Sequence, residues 1–475
     1  MPTQLKDWAL LPYNSAKIRD KYILSTFLGA WTFVNEDEFK LINSLRIEND
    51  SALFRKLKKH QFILDVKTVE TITKKYRHLH ANIFRDTSLH IVVLTTRCNS
   101  RCVYCQAEAS PSQASMSLKT ATKILDFLFS SNSRSIRLEF QGGEPLLNWE
   151  ALEFLVVQAQ KQNKFEKKDL LISLVSNLTL FDKKKMSFLL KHGVEICTSL
   201  DGPERLHNLN RVFADGKGTY DVVSSWLNKI NQAYHKSGSR SKVMALPTIT
   251  RAILPHSVEL IDEYVKWGYP AIHLRPLNKL GEAQRNWDAI GYSPEEFNKF
   301  WKESLDYILE LNTKGIFIRE IMASHILSKV LLGKDPLYVD LDSPCGAGRS
   351  QLAYAPNGDV YTCDEARMVG DEAFRLGNVL KDKYQDVMRS QNLFYTSQAS
   401  LLNLWDYNSV FCNWAGTCPV MNYRQQGTPI VKITETPMYK IQNFQFGYIF
   451  DKLLYDKKAK DIFNKWIGAN EEERK

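Results

Sequence analysis

The chain has 475 residues, more than one hydrophobic core serves, so two or three domains are expected. Apolar residues make up 44% and charged residues 24%, which excludes a disordered or fibrous chain. No apolar run approaches the length of a membrane span, and the first residues (MPTQLKDWALLPYN) carry no signal-peptide pattern, so a cytoplasmic protein with no membrane partner is expected. Eight cysteines in that compartment read as metal ligands rather than disulfides. The net charge of +10 is spread over small clusters such as Lys183–Lys185, which suit solvated helix faces. Without aromatic residues interleaved among them they do not point to nucleic acid.

Residues 1–85 read as a small α+β unit, with extended segments at Tyr22–Phe27 and Ala30–Val34 and helices at Glu36–Ser44, Ser51–Lys58 and Val66–Tyr76. From there to residue 335 strand and helix alternate. Strands are expected at Leu89–Thr95, Ile136–Phe140, Leu170–Val175, Val194–Leu200, Lys242–Ile249 and Ala271–Arg275, with helices between them. This pattern predicts an α/β fold with a parallel sheet, too short to close a full barrel and therefore a partial (β/α)6 barrel. In Ile136–Gln141 the apolar residues share one face while Arg137, Glu139 and Gln141 share the other, so the polar face is expected to line a reaction chamber.

The first strand runs directly into Cys98-Asn-Ser-Arg-Cys102-Val-Tyr-Cys105. Three thiolates on one loop can hold three irons of a 4Fe-4S cluster and leave the fourth open. A structural zinc site would want four ligands, and a local fourth is absent. Further motifs fall at the carboxyl ends of later strands, where such folds bind ligands: Gly142-Gly143-Glu144-Pro145, Ser176-Asn177, Ser199-Leu-Asp201-Gly202, then Arg211. Glycines allow close backbone approach, a carboxylate can receive an ammonium group, and a guanidinium pairs with a carboxylate. Each motif alone could be a turn or a helix cap.

A second cysteine system occupies residues 336–430. Cys345 and Cys363 bracket a hairpin with a tight Asn357-Gly358 turn, and Cys412 and Cys418 follow at C-x5-C spacing. Residues 431–475 read as a helical tail.

With Tyr104 before its last cysteine, the first loop resembles the signature of the radical S-adenosylmethionine (radical SAM) superfamily. The resemblance implies that Cys98, Cys102 and Cys105 hold a 4Fe-4S cluster. It also implies that Gly142, Gly143 and Glu144 take the amino group of S-adenosylmethionine, that Ser176, Asn177, Ser199 and Asp201 meet its ribose and carboxylate, and that Arg211 pairs with that carboxylate. Reductive cleavage of the cofactor would then yield a 5'-deoxyadenosyl radical. The second system resembles the SPASM or twitch extension, which carries auxiliary iron-sulfur clusters. Ser409 and Asn422 stand where a full SPASM domain has cysteines. Four thiolates, Cys345, Cys363, Cys412 and Cys418, are therefore expected to hold one auxiliary 4Fe-4S cluster. Asp364 matches an acidic residue that serves as general base in some SPASM enzymes.

The stretch LLPYNSAKIRDKYILSTFLGAWTFVNEDEF brings the chain nearest to the radical SAM maturase of the His-Xaa-Ser peptide system. That group implies a ribosomally made precursor peptide, a second radical SAM maturase as partner and a low-potential electron donor such as flavodoxin or ferredoxin. The first 85 residues weakly resemble the peptide-recognition elements fused to such enzymes. An anaerobic sulfatase-type maturase is the competing enzyme, and a non-catalytic iron-sulfur sensor or RNA-binding protein the competing class.

Overall fold

The computed structural model describes residues 8–79, 81, 86–107, 114–238, 242–403 and 409–468. The expected boundary at residue 85 lies outside them. The chain opens with β1 (Trp8–Leu10), β2 (Tyr13–Ile18), β3 (Lys21–Thr26), β4 (Trp31–Val34), α1 (Glu36–Asn43), α2 (Ala52–Lys59), β5 (Ile63–Asp65) and α3 (Val69–Leu79). Strands β2, β3 and β4 form an antiparallel sheet in that order, and β1 pairs with β5. Asn35 and Glu38 form a reciprocal capping box that starts α1.

Next come β6 (Leu89–Thr95), α4 (Leu118–Ser130), β7 (Ser135–Gly142), α5 (Trp149–Glu166), β8 (Asp169–Val175), α6 (Lys183–Lys191), β9 (Glu195–Ser199), α7 (Glu204–Asn210), α8 (Tyr220–Lys236), β10 (Met244–Leu246) and α9 (Ser257–Lys266). Beyond them lie β11 (Ala271–Ile272), two short helices α10 (Gly281–Arg285) and α11 (Trp287–Ile290), α12 (Pro294–Thr313), β12 (Arg319–Glu320) and α13 (Ile321–Leu332). The last part holds β13 (Gln351–Tyr354), β14 (Asp359–Tyr361), α14 (Asp364–Val369), β15 (Arg375–Asn378), α15 (Tyr384–Val387), α16 (Gln391–Leu402), α17 (Pro419–Gln426), α18 (Pro437–Tyr455) and α19 (Lys457–Trp466).

One eight-stranded sheet organises the molecule, in the order β10-β9-β8-β7-β6-β13-β14-β15. Strands β6 to β10 are parallel, as the alternation predicts. Two expectations are corrected. The strand expected over Lys242–Ile249 is only three residues, because Pro247 cannot donate to a ladder. The strand expected over Ala271–Arg275 is two residues long and pairs with β12 in a separate small sheet. The open side of β6 is taken by β13, which runs parallel to it with Leu352 opposite His90. The hairpin between Cys345 and Cys363 thus extends the main sheet.

On β7, Ile136, Leu138 and Phe140 are buried in the core while Arg137 and Glu139 lie on the half-buried opposite face, where Glu139 accepts hydrogen bonds from Gln141 and Ser173. The N-terminal sheet packs into the same core. Trp31 and Phe33 stand edge-on to Phe450 at 5.1 and 6.1 Å, and Trp31 donates to the Val330 carbonyl at 2.9 Å. Among the described residues, no helix is long and apolar enough to cross a membrane.

Where β12 meets α13, Glu320 is fully buried and accepts from Leu274 N at 3.2 Å and Ala323 N at 2.6 Å. Burial pushes its carboxyl up to about 7 from 4.5, with those N–H groups opposing. A raised carboxyl favours the fold when protonated, so this contribution is full below about pH 4.5 and is lost as pH climbs through about 7. The difference is worth about 3 kcal/mol. Denaturant unfolding at about pH 5 and about pH 8 is expected to show a smaller loss of stability at the higher pH in Glu320→Gln than in the parent chain. Equal losses would mean that Glu320 does not titrate in this range.

Candidate active site

The cysteine loop leaves β6 at Thr95 and is held from three sides. Arg101 N donates to Val212 O at 2.7 Å and Val103 N to Asn210 O at 3.0 Å, which ties the loop to the end of α7. The Asn177 amide donates to Asn99 Oδ1 at 3.1 Å and Ser100 Oγ at 3.2 Å, which ties it to the end of β8. Glu282 N donates to Cys105 O at 2.8 Å, and a side chain at Gly281, where φ is +53°, would lie 2.5 Å from that same oxygen.

Cys98, Cys102 and Cys105 are free and partly buried. Burial pushes the Cys102 thiol up to about 12 and also raises Cys98, with Arg211 opposing in both cases and the neighbouring thiols adding to the rise. Thiols in such surroundings ionise when a cation compensates, which is what cluster irons supply. Among the described residues, no three His, Cys, Asp or Glu side chains converge on a single ion.

Behind the loop runs a buried polar chain. Tyr104 OH donates to Asp201 Oδ2 at 2.7 Å and accepts from Arg211 Nη1 at 2.6 Å. Asp201 also accepts from Thr248 N at 2.9 Å and Asn210 at 3.3 Å. Burial opposes the Arg211 charge, but Cys102, Tyr104 and Asp201 outweigh it and raise its value well above the ordinary one.

Several residues expected at the ligand site also belong to this framework. Glu144 is fully buried, and its carboxylate accepts from Leu146 N at 3.1 Å, Ser176 Oγ at 2.8 Å and Asn177 N at 2.8 Å. Burial raises its carboxyl, and these three donors oppose the rise. The Ser176 hydroxyl also accepts from Leu178 N, and the Asn177 carbonyl accepts from Thr179. Asp201 has no exposed surface. A carboxylate buried at a loop junction must find partners inside the protein, and spacing along the sequence does not say which way it turns. At Gly142, with φ +149°, a Cβ would lie 2.2 Å from the Thr95 carbonyl oxygen, so this glycine serves the contact between β6 and β7. Gly143 N donates to the same Thr95 oxygen at 2.9 Å. Ser199 sits half-buried at the end of β9, and Arg211 stays beside the cysteine loop.

The second cysteine system divides. Cys345 and Cys363 are buried in one cluster with Cys418 packed against it. Cys412 packs against the main core, and its Sγ accepts from the Asn14 amide at 3.2 Å. Asp364, at the start of α14, is buried and paired with Arg367 Nε at 2.9 Å. The next residue, Glu365, lines a cavity of about 570 Å³ instead. Arg275, Lys279, Trp287, Tyr338, Asp340, Glu365, Cys418 and Arg424 are among the residues that line it. Tyr338 OH donates to Asp340 Oδ2 at 2.7 Å, and Arg275 pairs with the same carboxylate at 3.3 Å. Burial raises the Glu365 carboxyl, with Asp340 and Asp364 adding and Arg275 opposing. Sequence reasoning missed Tyr338, Asp340, Glu365 and Arg424. The only local signal was the acidic pair after Cys363.

Comparisons with known proteins agree with this geometry. Residues 92–261 match the radical SAM superfamily, and residues 345–413 match the SPASM iron-sulfur cluster-binding domain. The chain is 28% identical over 328 residues to a cysteine-type anaerobic sulfatase-maturating enzyme of Clostridium perfringens, covering 66% of this chain and 80% of the relative. The fold resembles the solved structure of native anSMEcpe with bound AdoMet and the Cp18Cys peptide, with a TM-score of 0.64, 19% identity and coverage of 79% of this chain and 99% of that one. It also resembles Streptococcus suis SuiB bound to precursor peptide SuiA, with a TM-score of 0.53, 13% identity and coverage of 88% and 96%. The matched domains bring a 4Fe-4S cluster, S-adenosylmethionine and an auxiliary iron-sulfur centre as cofactors.

The clamp around Glu144 has a direct test. Glu144→Ala leaves three donors unpaired, and each buried unsatisfied group costs about 1–3 kcal/mol. Thermal unfolding at a much lower temperature and poorer iron loading are expected. Unchanged stability would show that the carboxylate is not a clamp and is open to a ligand.

Proposed function

We propose, on the premise that this chain is an enzyme carrying a radical SAM domain followed by a SPASM domain, that it modifies a residue of a peptide or protein segment seated in the cavity. The observation that carries this reading is the position of the cavity. Its lining includes Lys279 and Gln284, on either side of the Gly281 contact with the Cys105 loop, and Cys418 of the second cysteine system. A substrate held there reaches Cys418 and lies beside the segment that packs on the Cys105 loop.

Bound cluster and S-adenosylmethionine supply a carbon radical able to take hydrogen from an unactivated C–H bond. The chain's own residues do the rest. Cys98, Cys102 and Cys105 hold the cluster, and Asn177 and the α7 end keep their loop rigid. Arg211 offers a guanidinium beside that loop for a carboxylate of the cofactor. Arg275, Lys279 and Arg424 line the cavity together with Asp340 and Glu365 and the apolar Trp287, Met421 and Met438. Such a lining suits a peptide with both acidic and apolar positions. One electron per turnover has to come from a low-potential donor such as flavodoxin or ferredoxin.

Asp364 remains a candidate proton acceptor, but its pairing with Arg367 gives it a structural duty as well. Asp364→Asn leaves a buried Arg367 without its anion, so lost activity in that variant needs a stability measurement beside it.

The finer reading is a ribosomally made precursor of the His-Xaa-Ser type, with residues 1–85 recognising part of it and a second radical SAM maturase acting on the same peptide. The N-terminal motif supports it. The sulfatase-type alternative is supported by the 28% identity to a sulfatase-maturating enzyme. Two peptides separate them: the anaerobic enzyme is offered a short His-Xaa-Ser peptide and, separately, a sulfatase-derived peptide with a target Cys or Ser. Mass loss or new fragment ions in the first alone are expected, and modification of the second alone would replace this reading with the sulfatase one.

A further inference from the structure

Helix α18 lies after both matched domain stretches, which end at residues 261 and 413, yet it lines the cavity. Met438, Ile441, Gln442 and Gln445 come from the helix, with Thr436 and Pro437 at its start. Spacing of three and four residues puts the first four on one helix face. None of the six carries a charge, whereas Arg275, Lys279, Asp340, Glu365 and Arg424 supply the charges of the lining. The helix is fixed in place. Phe446 and Phe450 each stack on Phe411 with ring centroids 5.6 Å apart, and Tyr448 OH donates to Asp306 at 2.5 Å.

The two glutamines of that face differ. Both are buried, with 3% of Gln442 and 1% of Gln445 exposed. Gln442 uses both ends of its amide: Nε2 donates to Asp340 O at 2.9 Å, and Oε1 accepts from Gly416 N at 3.0 Å. Gln445 Oε1 has no hydrogen-bond partner among the described residues. A few other buried polar atoms share that condition, such as His90 Nε2 and Thr198 Oγ1, but among the described residues Gln445 alone of them lines the cavity. A buried amide oxygen without a partner costs free energy, so packing alone does not account for a glutamine there.

We infer that Gln445 selects the substrate: its Oε1 accepts a hydrogen bond from an uncharged N–H or O–H side chain of the bound peptide, such as Asn, Gln, Ser or Thr. This rests on the cavity being the substrate seat. An apolar side chain would leave Oε1 unpaired. A neutral amide on an uncharged helix face, beside the buried Ile441, does not compensate an ammonium or guanidinium group.

The test uses the full chain, reconstituted anaerobically, immobilised and supplied with S-adenosylmethionine, and a random library of hexapeptides blocked at both ends. Peptides retained by the parent chain are expected to carry Asn, Gln, Ser or Thr at one position about fivefold above their share of the library. That enrichment is expected to vanish in Gln445→Met. Thermal unfolding of Gln445→Met is expected at the same temperature or higher, because an apolar side chain of similar shape replaces an unpartnered amide. Enrichment that persists in the variant, or peptides retained by the parent without this preference, would overturn the inference and leave the cavity as the substrate seat. A clearly lower unfolding temperature would make Gln445 a structural amide and would overturn it as well. No peptide retained by either protein would count against the seat itself, and the inference would fall with it.

Discussion

The pairing of β6 with β7 on one side and β13 on the other is the constraint on which everything else rests. Strand β6 is buried along nearly its whole length and carries the cysteine loop at its carboxyl end. Parallel pairing with β13 brings the second cysteine system onto the same sheet, with Ile91 of β6 inside the cluster formed around Cys345 and Cys363. The two systems are therefore set apart by the length of one strand, on the order of 20 Å, and cannot drift relative to each other without breaking a ladder. A slip of one residue would turn every side chain of β6 to the wrong face.

At the carboxyl end of that strand, buried polar side chains take over from hydrophobic packing. Glu144 joins the ends of β7 and β8, Asn177 joins β8 to the cysteine loop, and Tyr104, Asp201 and Arg211 join the loop to the segment after β9. Each is satisfied by a partner from a different element, so the junction has one arrangement. Half-satisfied networks would be costly in such surroundings, so these residues brace the loop. The result is a rigid seat for three thiols, two of which, Cys98 and Cys102, are kept from ionising by burial.

Much of this was legible from residue order, and the failures have physical reasons. The cysteine loop announced itself because an apolar strand ends three residues before Cys98, and the parallel sheet because strand and helix periods alternate. The direction in which Glu144 turns was not legible, since a carboxylate at a strand end can face a ligand or a neighbouring loop with the same spacing. Cys412 and Cys418 are six residues apart yet face different layers, because Cys418 opens α17 while Cys412 meets Asn14, nearly the whole chain away. The pairing of β13 with β6 also depends on a long-range contact. Local pattern holds no trace of such contacts.

The measurement that bears most directly on the account is 5'-deoxyadenosine formed from S-adenosylmethionine by the anaerobically reconstituted chain with a chemical reductant and peptide. Formation by the native chain, absent in Cys98→Ala, is the predicted result. Clusters loaded in the native chain with no deoxyadenosine, or the same amount from the Cys98→Ala variant, would contradict the reading of the β6 loop as the seat of the radical chemistry.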